Sequence, residues 1–299
     1  MDDLIGILGN RGPLTGKELT METGMDTFTA WKSCTNSKHI ITSIVGKRYL
    51  RLDIKVAGYA RLSPSIMREF LNYTIIGLKD QKVAIAARAV QVEKESAAIS
   101  KRKIELARDT IRRLVESHQE KASIIKKACF IIAGDVVFDM AHAEPRPEAS
   151  TGELVRGSDL DVIIVTEGLP DQLHKSLDSV IYKEKYNLLM NPASKEELDY
   201  IIKYLAVVDE QFHFTDFKAM VASKILDEGQ YLYGSRSIYN QIRQMLISYK
   251  ISEKICLLER KAQRSRIEAE RSLLSASETT DHDQLMALFY TTEEKEEIF

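Results

Sequence analysis

The chain of 299 residues is long enough for two domains of ordinary size. With 44% hydrophobic and 29% charged residues it has a globular composition rather than a fibrous or disordered one. No stretch approaches the ~18 uninterrupted apolar residues of a membrane helix, and the acidic opening MDDLIGILGN reaches Gly and Asn too soon for a secretory leader. Three widely separated cysteines, Cys34, Cys129 and Cys256, exclude a disulfide framework and a CxxC zinc site, which predicts a reducing, cytoplasmic location. The net charge of −2 hides an asymmetry: residues 79–127 carry 13 Lys/Arg against 7 Asp/Glu, and residues 129–235 carry 9 against 19. A basic segment is the footprint of a polyanion partner and an acidic one suits a cation; both also arise as solvated helix faces.

Residues 1–78 read as a small helical unit with a connector. DDLIGILGN forms a helix stopped by Gly9, Asn10 and Gly12; Thr15 and Glu18 form a capping-box pattern ahead of a second helix that ends at Gly24; a third runs from Asp26 to about Ser37. HIITSIVGKRYLRLD alternates around Gly46 and predicts a two-stranded hairpin. Three helices and such a wing resemble a winged helix-turn-helix. That resemblance would place the third helix in a major groove and Lys47 and Arg48 against phosphate, although such modules also bind proteins.

Residues 79–127 predict one long basic helix, from about Lys82 to Lys127. Val90, Ala97, Ile104, Ile111 and Ile125 form its apolar column, and SKRK and RDTIRR suggest a rail for a nucleic-acid backbone. Residues 237–299 predict a second long helix, Ser237 to Ser275, and a tail whose apolar patch, Leu285 to Tyr290, lies between acidic flanks. The long helices are expected to build a homo-oligomer.

Residues 128–236 form the α/β part. Cys129 to Ala133 reads as a buried strand that turns at Gly134 into a helix over Asp135 to Ala141, and SDLDVIIV reads as a second buried strand. Side chains on a strand alternate, so Asp159 and Asp161 share one face. Two adjacent carboxylates repel and resist burial unless a cation neutralises them, and this spacing suits Mg²⁺ or Mn²⁺, hard ions that take oxygen ligands.

Strand, Gly-x turn, helix, a strand bearing Asp-x-Asp, and the later AMVASKILDEGQYLYGS together resemble the nucleotidyltransferase superfamily. That family includes DNA polymerase beta, CCA-adding enzymes, aminoglycoside nucleotidyltransferases and bacterial oligonucleotide synthases. The resemblance implies an α+β fold with a mixed sheet and flanking helices, and transfer of a nucleoside monophosphate from an NTP or dNTP to a nucleic-acid or nucleotide acceptor. It implies that Asp159 and Asp161 hold the metal with a third carboxylate, that Gly134 and Asp135 form the turn at the phosphates, and that Lys224 meets the triphosphate; Gly157 and Ser158, outside the family's position, are a second expected source of backbone donors to phosphate.

The turn is Gly-Asp where the family has Gly-Ser, and HAEPRPEASTGELVR lengthens the gap between Gly134 and Asp159. AVVDEQFHFTDF offers Asp209, Glu210 and Asp216 as the third ligand; Asp216 reads as a helix cap, which leaves Asp209 or Glu210, and the resemblance implies Asp209, whose distance to Gly229 is close to the family's spacing. Compact bacterial members of the family serve in toxin–antitoxin and anti-phage systems, an analogy of fold. The competing expectation is a DNA-binding regulator whose nucleotidyltransferase-like domain is inactive.

Overall fold

A computed structural model describes residues 2–148, 150–276 and 282–291 as a mixed α+β protein. The chain divides into two compact units, residues 1–95 with 258–299, and residues 96–257, so the boundaries fall inside two helices.

The first unit opens with α1 (Asp2–Arg11), β1 (Leu14–Thr15), α2 (Gly16–Thr23) and α3 (Thr27–Asn36). The capping box is formed: Thr15 accepts from the Glu18 amide, and the Glu18 carboxylate accepts from the Thr15 amide. Asp26 caps α3 by accepting from the Thr29 amide at 3.0 Å. Then come β2 (Ile40–Ile44), β3 (Tyr49–Leu52), β4 (Ala60–Ser63), α4 (Ile66–Tyr73), β5 (Thr74–Leu78) and α5 (Lys82–Ser117).

The hairpin expected around Gly46 does not form. β2 pairs antiparallel with β5, Ile40 opposite Leu78, and β3 pairs with β4, Tyr49 opposite Ser63. The fully buried Ile75 and Ile76 place β5 at the centre of a β1-β5-β2 sheet, and that burial outweighs the local turn signal.

The second unit begins within α5, whose buried positions from residue 96 onward are Ser100, Lys103, Ala107, Thr110, Ile111 and Val115. The column expected from Val90 to Ile125 is therefore out of phase, for Val90 and Ile125 are exposed and of the five only Ile111 is fully buried. The helix stops at Ser117. His118 accepts from the Glu120 amide through Nδ1 and meets Ser176 through Nε2, and α6 (Lys121–Lys127) follows as a separate turn.

β6 (Ala128–Ala133) ends at Gly134. The helix expected after it is only a 3-10 turn, Asp135–Phe138, and the Pro-rich insertion holds a small hairpin, β7 (Pro145–Pro147) with β8 (Leu154–Arg156). β9 (Leu160–Thr166), α7 (Asp171–Met190) and β10 (Leu198–Tyr204) make a parallel crossover. After α8 (Leu205–Phe212) and α9 (Phe217–Glu228), β11 (Gln230–Gly234) closes a sheet in the order β10-β9-β6-β11.

Both faces of this sheet are covered. Phe130, Ile132, Leu160, Val162 and Ile164 pack against α5, α6 and α7, whereas Cys129, Ile131, Ile163 and Val165 pack against α8, α9 and α10 (Arg236–Ser248). The second long helix expected from Ser237 is broken, because Lys250 adopts φ +52 and separates α10 from α11 (Ile251–Ser275).

The later part of α11 belongs to the first unit with α12 (His282–Phe289), which carries the predicted apolar patch. The acidic flanks at 277–281 and 292–299 lie outside the described residues. Phe289 meets Phe28 at 5.3 Å and Trp31 at 5.6 Å between ring centroids, so α3 buries its aromatic face within its own unit. Arg48 is equally committed. Its guanidinium donates to Glu69 at 2.5 and 2.7 Å, while Arg266 reaches Glu69 at 3.0 Å and Glu270 at 2.8 Å. Arg48 is thus a strut in an ion network.

Glu69 is 5% exposed, and removing its charge would leave two guanidinium groups facing an uncharged partner. Glu69→Gln is expected to destabilise this unit by ~3–5 kcal/mol. Trp31, the only tryptophan, lies in the same unit and reports the change as fluorescence during denaturant unfolding.

Candidate metal centre

The site forms where β9 and β10 begin and β6 ends. Parallel pairing puts Asp199 of β10 directly opposite Asp161 of β9, and antiparallel pairing puts Ala133 of β6 on the other side of Asp161. Asp159, two residues before Asp161, projects to the same face. One oxygen from each of Asp159, Asp161 and Asp199 lies within 4.8 Å of the others.

Asp199, then, completes the cluster. Asp209 sits on α8, exposed, and accepts from the Tyr249 hydroxyl at 3.0 Å; Glu210 lies beside it on the same helix. Asp216 caps α9 through the Ala219 amide at 2.9 Å, as its sequence setting predicts. The segment holding Asp209 is helical because Leu205, Val208 and Phe212 recur at helical spacing, with Val208 and Phe212 buried against the sheet.

Two cations flank the carboxylates. Arg146, the central residue of β7, pairs with Asp159, reaches Glu197 at 2.8 Å and donates to the Gly157 carbonyl at 2.9 Å. Lys185 of α7 donates to Asp199 at 2.6 Å. Asp161 lies between these pairs with no hydrogen-bond or ion-pair partner among the described residues. Burial pushes its carboxyl up to about 7, assisted by the charges of Asp159, Asp135, Asp199 and Glu228. Burial also raises Asp159, against the opposing pull of Arg146.

The turn beneath is shaped around Asp161. Gly134 has φ +78, and a Cβ there would overlap Asp161 Oδ2, so glycine is required both by conformation and by space. Its amide donates to Glu228 Oε1 at 3.4 Å, and Glu228 pairs with Lys224 at 2.6 Å. Lys224 is therefore beside the turn and engaged with Glu228.

Asp135 and Ser158 are tied to each other. The Ser158 hydroxyl donates to Asp135 at 3.1 Å and accepts from the His142 amide at 3.2 Å, which stitches the insertion to the turn. Gly157 has φ +66 and abuts the His142 carbonyl, so that approach also needs glycine.

Sequence reasoning missed Asp199, Arg146, Lys185 and Glu197. A signal for Asp199 existed in LDYIIKY, whose alternation puts Asp199, Ile201 and Lys203 on one face of a tyrosine- and isoleucine-rich strand. Arg146, between two prolines, carried none.

An all-oxygen donor set, converging at ligand distance and with its central member uncompensated, fits a hard divalent cation. Comparison with protein-family models, curated proteins and solved structures found no match.

Asp161 binds a proton more tightly folded than unfolded, so its contribution favours the fold at low pH and is lost as pH rises through about 7. In the metal-free protein, Asp161→Asn is expected to raise stability at pH 8 by on the order of a few kcal/mol and to change it little at pH 4. Mg²⁺ or Mn²⁺ is expected to raise the melting temperature at pH 8, with the shift fading below about pH 7 and absent in Asp161→Asn. Calorimetric scans across pH, with and without the ion, check both.

Proposed function

We propose that the protein is a divalent-metal-dependent nucleotidyltransferase that moves a nucleoside monophosphate from an NTP or dNTP to a hydroxyl of a nucleic-acid or nucleotide acceptor. The observation that carries this reading is the convergence of Asp159, Asp161 and Asp199 on two adjacent strands, beside a glycine turn that opens a polar edge of the sheet. The mixed sheet β10-β9-β6-β11 with helices on both faces agrees with the nucleotidyltransferase-type fold of this reading.

Mg²⁺ or Mn²⁺, held by the three aspartates, would supply Lewis-acid polarisation of the transferred phosphoryl group. The acceptor oxygen bonds to the α-phosphorus, the bridging bond to the β-phosphate breaks, and pyrophosphate leaves with the electron pair. The acceptor hydroxyl gives up its proton in that step, and Asp199, oriented by Lys185, is the carboxylate assigned to receive it. Arg146 holds Asp159 in place and Gly134 leaves room for Asp161, so both position ligands rather than touch substrate. Lys224 would answer the triphosphate charge by exchanging its bond to Glu228.

In the first unit, α1, β1, α2, α3 and β2, with β5 inserted between β1 and β2, support a winged-helix reading. Thr29, Thr35 and Asn36 remain exposed on α3 and would face nucleic acid.

One observation favours the second reading, a nucleic-acid-binding regulator with a silent site. Arg146 and Lys185 already compensate two of the three carboxylates. That reading predicts no transfer whatever the metal or acceptor.

Incubation with each labelled NTP and dNTP, Mg²⁺ or Mn²⁺, and DNA, RNA or no acceptor is expected to release pyrophosphate. Asp159→Asn, Asp161→Asn and Asp199→Asn are each expected to reduce the rate by about 100-fold or more, whereas Asp209→Asn leaves it unchanged. Absence of pyrophosphate under every condition would overturn the enzymatic reading.

A further inference from the structure

The segments that end at the aspartates begin at a second feature. Arg156 precedes Asp159 by three residues and Glu196 precedes Asp199 by three, with the Arg156 amide donating to the Lys195 carbonyl at 2.7 Å. Three residues of extended chain span at most ~10 Å. Beside Arg156 and Glu196 lies a cleft of about 300 Å³, bounded by α5, by the end of α7 and by the strand ends.

Its charge is organised from the floor upward. Lys103, 1% exposed, pairs with Glu196 and donates to the Arg156 carbonyl at 2.7 Å, so the buried acid and base cancel. Arg102 and Arg156 stand exposed at the walls. Neither guanidinium has a hydrogen-bond or ion-pair partner among the described residues. The cleft is therefore a neutral floor beneath two uncommitted planar cations, inside a unit whose residues 129–235 are strongly acidic. Asn191 and Ser194 add polar groups, and Leu106 adds an apolar wall.

Paired guanidinium forks match a tetrahedral oxyanion, and phosphate is the oxyanion that two Arg side chains hold best. A carboxylate would use one fork and leave the second cation unanswered. Amide, hydroxyl and apolar groups beside the forks suit the sugar that a phosphate ester carries.

We propose that this cleft is the acceptor-phosphate subsite: Arg102 and Arg156 bind a phosphate of the nucleotide or nucleic acid whose hydroxyl is brought to the aspartate cluster. The proposal rests on the nucleotidyltransferase reading for its purpose, but binding needs neither metal nor NTP and is measured without them. A phosphate anchored beside the segments that lead into Asp159 and Asp199 converts a diffusing acceptor into an oriented one, which is where positioning contributes to rate.

The test is fluorescence anisotropy with a labelled, 5′-phosphorylated single-stranded RNA or DNA oligonucleotide, in the absence of divalent ions. The protein is expected to bind. The Arg102→Gln, Arg156→Gln double variant should bind at least 10-fold more weakly, and the slope of its log affinity against log salt should be shallower by about one for each phosphate no longer neutralised. A charge-matched control, Lys101→Gln with Arg108→Gln, removes two exposed cations of α5 outside the cleft and should bind as the wild type does.

Competition identifies the source of the phosphate. Displacement by a nucleoside monophosphate at equal concentration assigns a free nucleotide, and displacement by oligonucleotide alone assigns a nucleic-acid backbone. Thermal melting checks that the variants fold, and the two single arginine variants, each expected to weaken binding, stand in if the double variant does not. No binding by the wild type, undiminished binding by the arginine variants, or equal weakening in cleft and control variants would overturn the proposal. Pyrophosphate release by the wild type is a separate measurement, so failure of this subsite and failure of the transfer reading are told apart.

Discussion

The arrangement in the second unit depends on the register of one parallel strand pair. With Asp199 opposite Asp161, and Asp159 one alternation earlier, three carboxylates are forced together at the sheet edge. Like charges about 5 Å apart near a protein surface cost roughly 3–4 kcal/mol for each pair. A one-residue slip of β10 would relieve that repulsion by sending Asp199 to the other face, but it would also turn Leu198 out of the core in which it is fully buried. Burial of the apolar positions thus holds the charged ones in an unfavourable meeting, and Arg146 and Lys185 offset its outer members while Asp161 retains the penalty.

The surrounding parts accommodate this central aspartate. Gly134 removes the Cβ that would occupy its place, and Glu228, tethered by Lys224, secures the glycine amide. The Pro-rich insertion brings Arg146 to Asp159, and Ser158 fastens that insertion to Asp135. An insertion that lengthens the gap between turn and aspartates in sequence is therefore what delivers a counter-charge in space. The Asp135 carboxylate accepts from the Ser158 hydroxyl, so a residue that departs from the expected turn has a structural partner within the site.

How far the site was legible follows from the same physics. The Asp159 and Asp161 pair was readable because β9 is a continuous apolar run between Gly-Ser and Gly-Leu-Pro breaks, and one strand's alternation needs no partner to be recognised. Asp199 was not, because β10 passes into α8 at Tyr204 and Leu205 without glycine, proline or a side-chain cap. With no break to mark the change of period, the carboxylates of α8 were read as the candidates and the one on the strand was passed over. The Gly46 hairpin failed for a different reason: turn chemistry is local, whereas the pairing of β2 with β5 is set by burial of residues more than thirty positions away. The capped helices α2 and α3 were legible, α7 and α8 were not, and the break at Lys250 lies in a left-handed lysine that no composition rule flags.

Charge counts show the same limit from the other side. The excess of basic residues between 79 and 127 suggested a continuous rail, yet Lys103 is buried against Glu196, Arg88 pairs with Glu18, Arg112 with Asp109 and Arg113 with Glu184. A cation already satisfied by a carboxylate offers little to a polyanion, since exchanging one partner for another gains only the difference between them. What matters is where uncommitted charge remains. On α5 Lys82, Lys94, Lys101, Arg102 and Arg108 have no ion-pair partner among the described residues, and of these Arg102 alone lines the cleft with Arg156, because β8 ends beside that helix. Two cations more than fifty positions apart, one of them outside the basic segment, are thus brought to one cleft by the fold, a placement that a summed charge along the sequence does not contain.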